Sequence, residues 1–279
     1  MTAPGGLAAE GFLVQAMWQY ATLVLRPMQA AQRHGIVQRS VIGTLPAQGN
    51  RPGLGPRFSR TLETSMMIEA DSPHLHLVEA FDRMGETYEA YVRPFSTPIM
   101  DEAVAELGRY IRDDWRLLDA GCGSGREACR MARLVPRGEV VGIDLAAGMV
   151  ATSYRSARAK GLDNTAFIQA DVGDLPDLLD GAFDLAYSLL AHHHYPEPEA
   201  ATRAIYRSLR PGGLYAVIDA GPDWFVESAS PLAAWADPGW IGFHTPEQFR
   251  ALHSLVGFTD CCWISLLPGF GIALARKPD

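Results

Sequence analysis

Residues 117–125 read Leu117-Leu118-Asp119-Ala120-Gly121-Cys122-Gly123-Ser124-Gly125. An apolar run ends on an acid, and glycine then recurs at every second position. The pattern predicts a strand that feeds a glycine-rich turn, which opens a helix over 126–135. Without a Cβ, glycine lets the backbone of such a turn approach a ligand closely. The helix behind it presents unpaired N–H groups and the positive end of its dipole. Nineteen residues past Gly125, Asp144 ends the run Val140-Val141-Gly142-Ile143-Asp144. An acid about 20 residues after such a loop is placed to accept hydrogen bonds from ribose hydroxyls.

Outward from this stretch, short apolar runs alternate with helical patterns. Strands are predicted at 116–120, 140–144, 167–170, 183–189 and 214–219, with helices at 126–135, 149–160 and 199–209. This rhythm predicts right-handed βαβ units and a parallel sheet covered on both faces. Two further strands, 258–266 and 269–276, flank Leu267-Pro268-Gly269, and so short a connection predicts an antiparallel pair. Thr245-Pro246-Glu247-Gln248 reads as a helix start with a capping box, so His244 and His253 are read as structural.

Together these residues resemble the class I S-adenosylmethionine-dependent methyltransferases. Asp119-x-Gly121-x-Gly123-x-Gly125 is similar to that family's first motif. It differs from the dinucleotide fingerprint, whose third glycine comes one residue later. Val141 to Leu145 is similar to the second motif, Phe167 to Val172 to the third, Phe183 to Leu189 to the fourth strand, and Leu209 to Leu214 to the turn before the fifth. The resemblance covers roughly residues 81–277. It implies an α/β, doubly wound, Rossmann-like sheet of seven mostly parallel strands with an antiparallel C-terminal hairpin, plus a helical N-terminal extension. It also implies S-adenosylmethionine as cofactor. Gly121, Gly123 and Gly125 would hold its methionine part near Asp119, and Asp144 would take the ribose hydroxyls. Leu145 and Met149 would pack on the adenine, with Asp171 and Val172 receiving its edge. Ser188 and Leu189 would lie beneath the sulfonium, and Tyr91 would fold over the pocket with Tyr88 and Phe95.

His192-His193-His194-Tyr195-Pro196 follows the fourth strand. Family members acting on small molecules resemble this with a Leu-His-His-Leu-Pro type sequence, which matches His193 and His194 and leaves His192 as the departure. In some members the first of the pair accepts the substrate's proton, so His193 is the candidate general base, with His194 beside it. Asp219, ending the fifth strand, is a further candidate to orient substrate. No metal is expected, because consecutive histidines seldom converge on one ion. The Glu-x-x-Glu-His pattern of some metal-dependent members is also absent. Trp224, Phe225, Trp235, Trp240 and Phe243 crowd a Pro- and Gly-containing insertion at about 220–245, which reads as a lid or pocket wall.

The 279 residues carry 32 acids against 24 bases, a formal net charge of −8. Proteins that live on phosphate backbones show a basic excess, so neither nucleic acid nor an anionic membrane is expected as partner. Cys122, Cys129, Cys261 and Cys262 have no zinc spacing, and the expected location is the cytoplasm. The apolar stretch 11–25 has 15 residues and contains Gln15 and Gln19, too short and too polar for a span of ~20 residues or a leader. It reads as a helix with a wide apolar face and predicts a homodimer contact. Half of residues 43–56 are Gly or Pro, which predicts a connector. A helix should follow from Ser72-Pro73 to about 92, and another over 99–111 after Thr97-Pro98. The expected organisation is an N-terminal helix and connector (1–60), a helical cap (61–96) and a methyltransferase core (97–279). The expected reaction is methyl transfer to a small hydrophobic or aromatic acceptor in specialised metabolism. A cyclase or decarboxylase on the same fold, or a non-enzymatic binding protein, is the alternative.

Overall fold

A computed structural model describes residues 96–237 and 239–279, all within the unit Ile68–Asp279. The expectations for the first helix and its dimer contact, the connector, the 72–92 helix, and Tyr88, Tyr91 and Phe95 lie outside the described residues.

Seven strands form one sheet: β1 (Arg116–Ala120), β2 (Glu139–Asp144), β3 (Thr165–Gln169), β4 (Phe183–Leu189), β5 (Leu209–Ala220), β6 (Thr259–Leu267) and β7 (Phe270–Arg276). Their spatial order is β3-β2-β1-β4-β5-β7-β6. Strands β1 to β5 run parallel, and β7 pairs antiparallel with both β5 and β6. The strand order reverses between β1 and β4, the kind of crevice where open α/β sheets bind ligands.

Helix α1 includes residues 96–107. It is already helical at 96, upstream of the predicted Thr97 start. The others are α2 (Arg126–Leu134), α3 (Ala147–Ala159), α4 (Pro198–Ser208), α5 (Asp223–Ala236) and α6 (Pro246–Val256). Alternation along each strand sends side chains to opposite faces. One set, with Leu117, Val140, Leu185, Ala216 and Ile272, packs into a single core with Ile99, Met100, Ala103 and Leu107 of α1 and with Ala128 and Met131 of α2. Helices α4 and α6 pack against each other and against β5 and β6 respectively. At α6 the capping box is formed: Gln248 N–H donates to Thr245 Oγ1 at 3.3 Å and Thr245 N–H to Gln248 Oε1 at 2.8 Å.

The insertion at 220–245 is built around a helix that its sequence does not announce. It holds a 14-residue helix, α5, with Pro231 in its interior. Its aromatic residues also divide: Phe225 is fully buried against Phe270, whereas Trp240 and Phe243 pair farther along the chain. Among the described residues no helix is long and apolar enough to cross a membrane, and all four cysteines are unpaired.

Candidate active site

The glycine turn closes on the end of β2. Gly121 and Cys122 N–H both donate to the Ile143 carbonyl at 2.9 Å. Gly123 N–H donates to Asp144 Oδ2 at 2.8 Å, and Ala146 N–H to Asp144 Oδ1 at 2.9 Å. Asp144 therefore braces the loop from below. Two glycines explain why no other residue serves. Gly125 (φ +72°) caps α2 and lies so close to α3 that a Cβ would stand 2.6 Å from the Ser153 Cβ and 2.8 Å from its Cα. Gly123 (φ +52°) has no described atom within 4 Å of where a Cβ would stand. Ser153 Oγ completes the packing, donating to the Gly123 carbonyl at 2.8 Å.

Asp119, at the end of β1, is 1% exposed, and its Oδ2 has no hydrogen-bond partner among the described residues. Burial, then the charges of Glu127 and Asp144, push its pKa well above the ordinary carboxylate range. The Tyr187 hydroxyl opposes this but makes no hydrogen bond of normal geometry. Among the described residues no cation offsets the charge of this buried acid.

The other expected donor-side residues are arranged along the same strand ends. Asp171 Oδ1 accepts from Gly173 N–H at 2.7 Å and caps a short turn, Val172–Asp174. Leu145 is half-buried and Met149, in the first turn of α3, is fully buried. Ser188 is also fully buried. Its hydroxyl lies 3.0 Å from that of Tyr195, which donates to the Ala120 carbonyl at 2.7 Å. Tyr195 thereby bridges the ends of β4 and β1. Sequence reasoning passed over it because nothing local links positions 120 and 195.

After β4 the chain turns sharply at Leu190, a non-glycine residue at φ 49°. Leu190 N–H donates to the Ile218 carbonyl at 2.9 Å, which brings the following histidines beside the end of β5. His193 Nδ1 lies 2.9 Å from both carboxylate oxygens of Asp219, and His193 N–H donates to Oδ2 at 3.1 Å. Asp219 is 1% exposed and accepts a further bond from Ala220 N–H at 2.8 Å. Burial works against charge on His193, but the charge and hydrogen bond of Asp219, with the charge of Asp237, hold its pKa above the usual imidazole value. Burial likewise works against the Asp219 carboxylate, and His193 overcomes it to keep that pKa low. Nδ1 thus carries the proton donated to Asp219. Nε2 makes no hydrogen bond among the described residues, and in the neutral ring, with the proton on Nδ1, it carries the lone pair. The Phe243 ring packs edge-on against His193 at 5.2 Å.

His194 is buried, its Nδ1 donating to the Gly239 carbonyl at 2.9 Å. His192 turns the other way, into a packed group with Tyr195, His244 and Phe249. Burial, then the neighbouring His244, push its pKa down to about 3. His192, His244 and His253 are therefore packing residues.

Residues 118–217 match the model of a methyltransferase domain family. A demethylmenaquinone methyltransferase from Thermus thermophilus is 37% identical over 165 residues, spanning 52% of this chain and 74% of that enzyme. The chain belongs to the class I S-adenosylmethionine-dependent methyltransferases. A malonyl-[acyl-carrier protein] O-methyltransferase from Dechloromonas aromatica is 36% identical over 64% of each chain. In fold, this methyltransferase is similar to the 1,6-didemethyltoxoflavin-N1-methyltransferase of Burkholderia thailandensis, whose structure holds S-adenosylhomocysteine. The TM-score is 0.58 at 20% identity, over 77% of this chain and 94% of that one.

The methyltransferase uses S-adenosylmethionine, and its residues fit that molecule. Among the described residues nothing fills the space over Gly123, which leaves room for a ligand against bare backbone, and nothing bonds the Asp119 Oδ2, which suits a cationic one.

Proposed function

We propose that this methyltransferase methylates a hydroxyl of a small apolar or aromatic acceptor, in specialised metabolism. One observation carries the reading: Asp219 holds His193 by Nδ1, leaving Nε2 to receive a proton. Amines need no such base, whereas a hydroxyl must lose its proton on reacting.

S-adenosylmethionine supplies, when bound, a methyl group activated by the positive sulfur. On the donor side Asp119 and the Gly121–Gly125 turn would hold the methionine part, Asp144 the ribose, and Leu145, Asp171 and Val172 the adenine. On the acceptor side His193 Nε2 would take the hydroxyl proton as the oxygen's electron pair turns to the methyl carbon, whose bonding pair would leave with the sulfur. Asp219 stabilises the imidazolium so formed, a contribution typically ~10²–10⁴-fold for a positioned base. Phe243 and Trp240 supply apolar wall beside His193, which favours an aromatic acceptor and keeps water away.

The test is a methyl-transfer assay with labelled S-adenosylmethionine and matched phenols and anilines. Label on phenolic oxygen, lost on His193→Ala, is expected. Methylation confined to amines, at a rate unaffected by that substitution, would overturn the reading.

A further inference from the structure

We propose that His193, His194 and Asp237 form a binding site for one divalent transition-metal ion of the zinc type. A ring nitrogen of each histidine and a carboxylate oxygen of Asp237 all lie within 4.8 Å of one another. His194 Nε2 is 3.6 Å from Asp237 Oδ2, and the two imidazole centroids are 4.2 Å apart. Ligands on one tetrahedral ion, with bonds of about 2.0–2.1 Å, stand about 3.3 Å from each other. Small side-chain movements bring these three to that spacing.

The second observation is how each ligand is held. A metal-binding histidine typically donates its other N–H to a carboxylate or carbonyl, which fixes the tautomer and the orientation of the ring. Both histidines do so: His193 Nδ1 to Asp219 at 2.9 Å, His194 Nδ1 to the Gly239 carbonyl at 2.9 Å. Asp237 is fixed in the same manner, its Oδ1 accepting from Gly239 N–H at 2.9 Å while Oδ2 faces His194. Gly239 therefore orients two of the three ligands through its own backbone. The hydrogen bonds that hold the three side chains are thus present without an ion. The sequence hides the site because the carboxylate comes from beyond α5 and not from the histidine turn.

Two imidazoles and one carboxylate suit zinc and its first-row neighbours, and three protein ligands leave a coordination position open. The consequence for the enzyme follows from electron counting. The lone pair on His193 Nε2 serves either the ion or the acceptor's proton. The ion is thus an inhibitor of hydroxyl methylation. This last step rests on the proposed acceptor; ion binding does not.

The test uses the full chain stripped with chelator. Zinc binding is measured by equilibrium dialysis, and cobalt(II) binding by visible absorption. One ion per chain is expected, with a tetrahedral cobalt spectrum free of thiolate charge transfer. Asp237→Asn and His194→Gln should each weaken zinc by at least about tenfold, and Asp219→Asn, acting through His193, by about 10–100-fold. Failure to retain any ion, a thiolate band, or undiminished binding in both Asp237→Asn and His194→Gln would overturn the site. In turnover, zinc should inhibit and chelator restore. Activation by zinc would overturn the competition while leaving the site standing. An enzyme that never methylates a hydroxyl would refute the acceptor reading without touching the dialysis result.

Discussion

Asp219 grips His193 at two points, accepting from its ring Nδ1 at 2.9 Å and from its backbone N–H at 3.1 Å. The ring can then neither rotate nor change tautomer without breaking a buried hydrogen bond. Replacing Asp219 with Asn removes one acceptor and the negative charge that stabilises the imidazolium. Turnover should fall on the order of 10²–10⁴-fold while affinity for S-adenosylhomocysteine stays near wild type. Single-turnover rates and calorimetric titration measure the two separately. An equal loss in both would place Asp219 in the cofactor site instead.

Gly123 and Gly125 separate binding from folding. Ala at 123 meets no atom of the described residues but sits at positive φ, a cost of about 1–2 kcal/mol. Its methyl enters the space proposed for the cofactor, and affinity should drop at least about tenfold. Ala at 125 meets the Ser153 backbone and adds an overpacking cost of about 1–3 kcal/mol. Thermal melting should thus rank Gly125→Ala well below Gly123→Ala. The opposite ranking would contradict the described packing.

Asp119 trades stability for binding. An acid whose folded pKa is raised destabilises the fold as pH rises from its unfolded value of about 3.9 through the folded one. At neutral pH the ligand-free Asp119→Asn variant should therefore melt higher than wild type. It should also bind S-adenosylhomocysteine about 10–100-fold more weakly, having lost a charged hydrogen-bond acceptor. A variant that melts lower would mean that a partner already stabilises this carboxylate.

His253 makes the fold acid-sensitive. It is 1% exposed, and burial, then His244, push its pKa down to about 4. The unfolded chain takes up this proton near pH 6.5 and the folded chain only near 4, so stability is full above 6.5 and is lost as pH falls across that window. The loss amounts to about 3 kcal/mol. Urea denaturation at several pH values should show His253→Phe gaining on wild type by that amount between pH 7 and 4. Parallel profiles would contradict the assignment.

Much of this molecule is legible along the chain because its signals are local. The glycine turn, the alternation of strands and helices, and the Thr245–Gln248 capping box each lie within a few residues, and each formed as read. The pairings that matter for chemistry are not local. Asp219 meets His193 only because β5 lies beside β4 with Ile218 opposite Leu189, a register that no short stretch encodes. Helix α5 was hidden by Pro231, since an interior proline ordinarily ends a helix. His194 and Asp237 meet across that unread segment.

The phenol of Tyr195 ties the chain after β4 to the last carbonyl of β1. On the proposed roles, the ends of β1 to β3 serve the methyl donor and the turn after β4, with the end of β5, serves the acceptor, and the Tyr195 hydroxyl latches the seam between them. With those proposed roles, helix α5 and the Trp240 and Phe243 pair, which follow β5 in the chain, fall to the acceptor's side of the latch. They are free to diverge, and so to recruit new acceptors, without retuning the distance over which a methyl group is handed across.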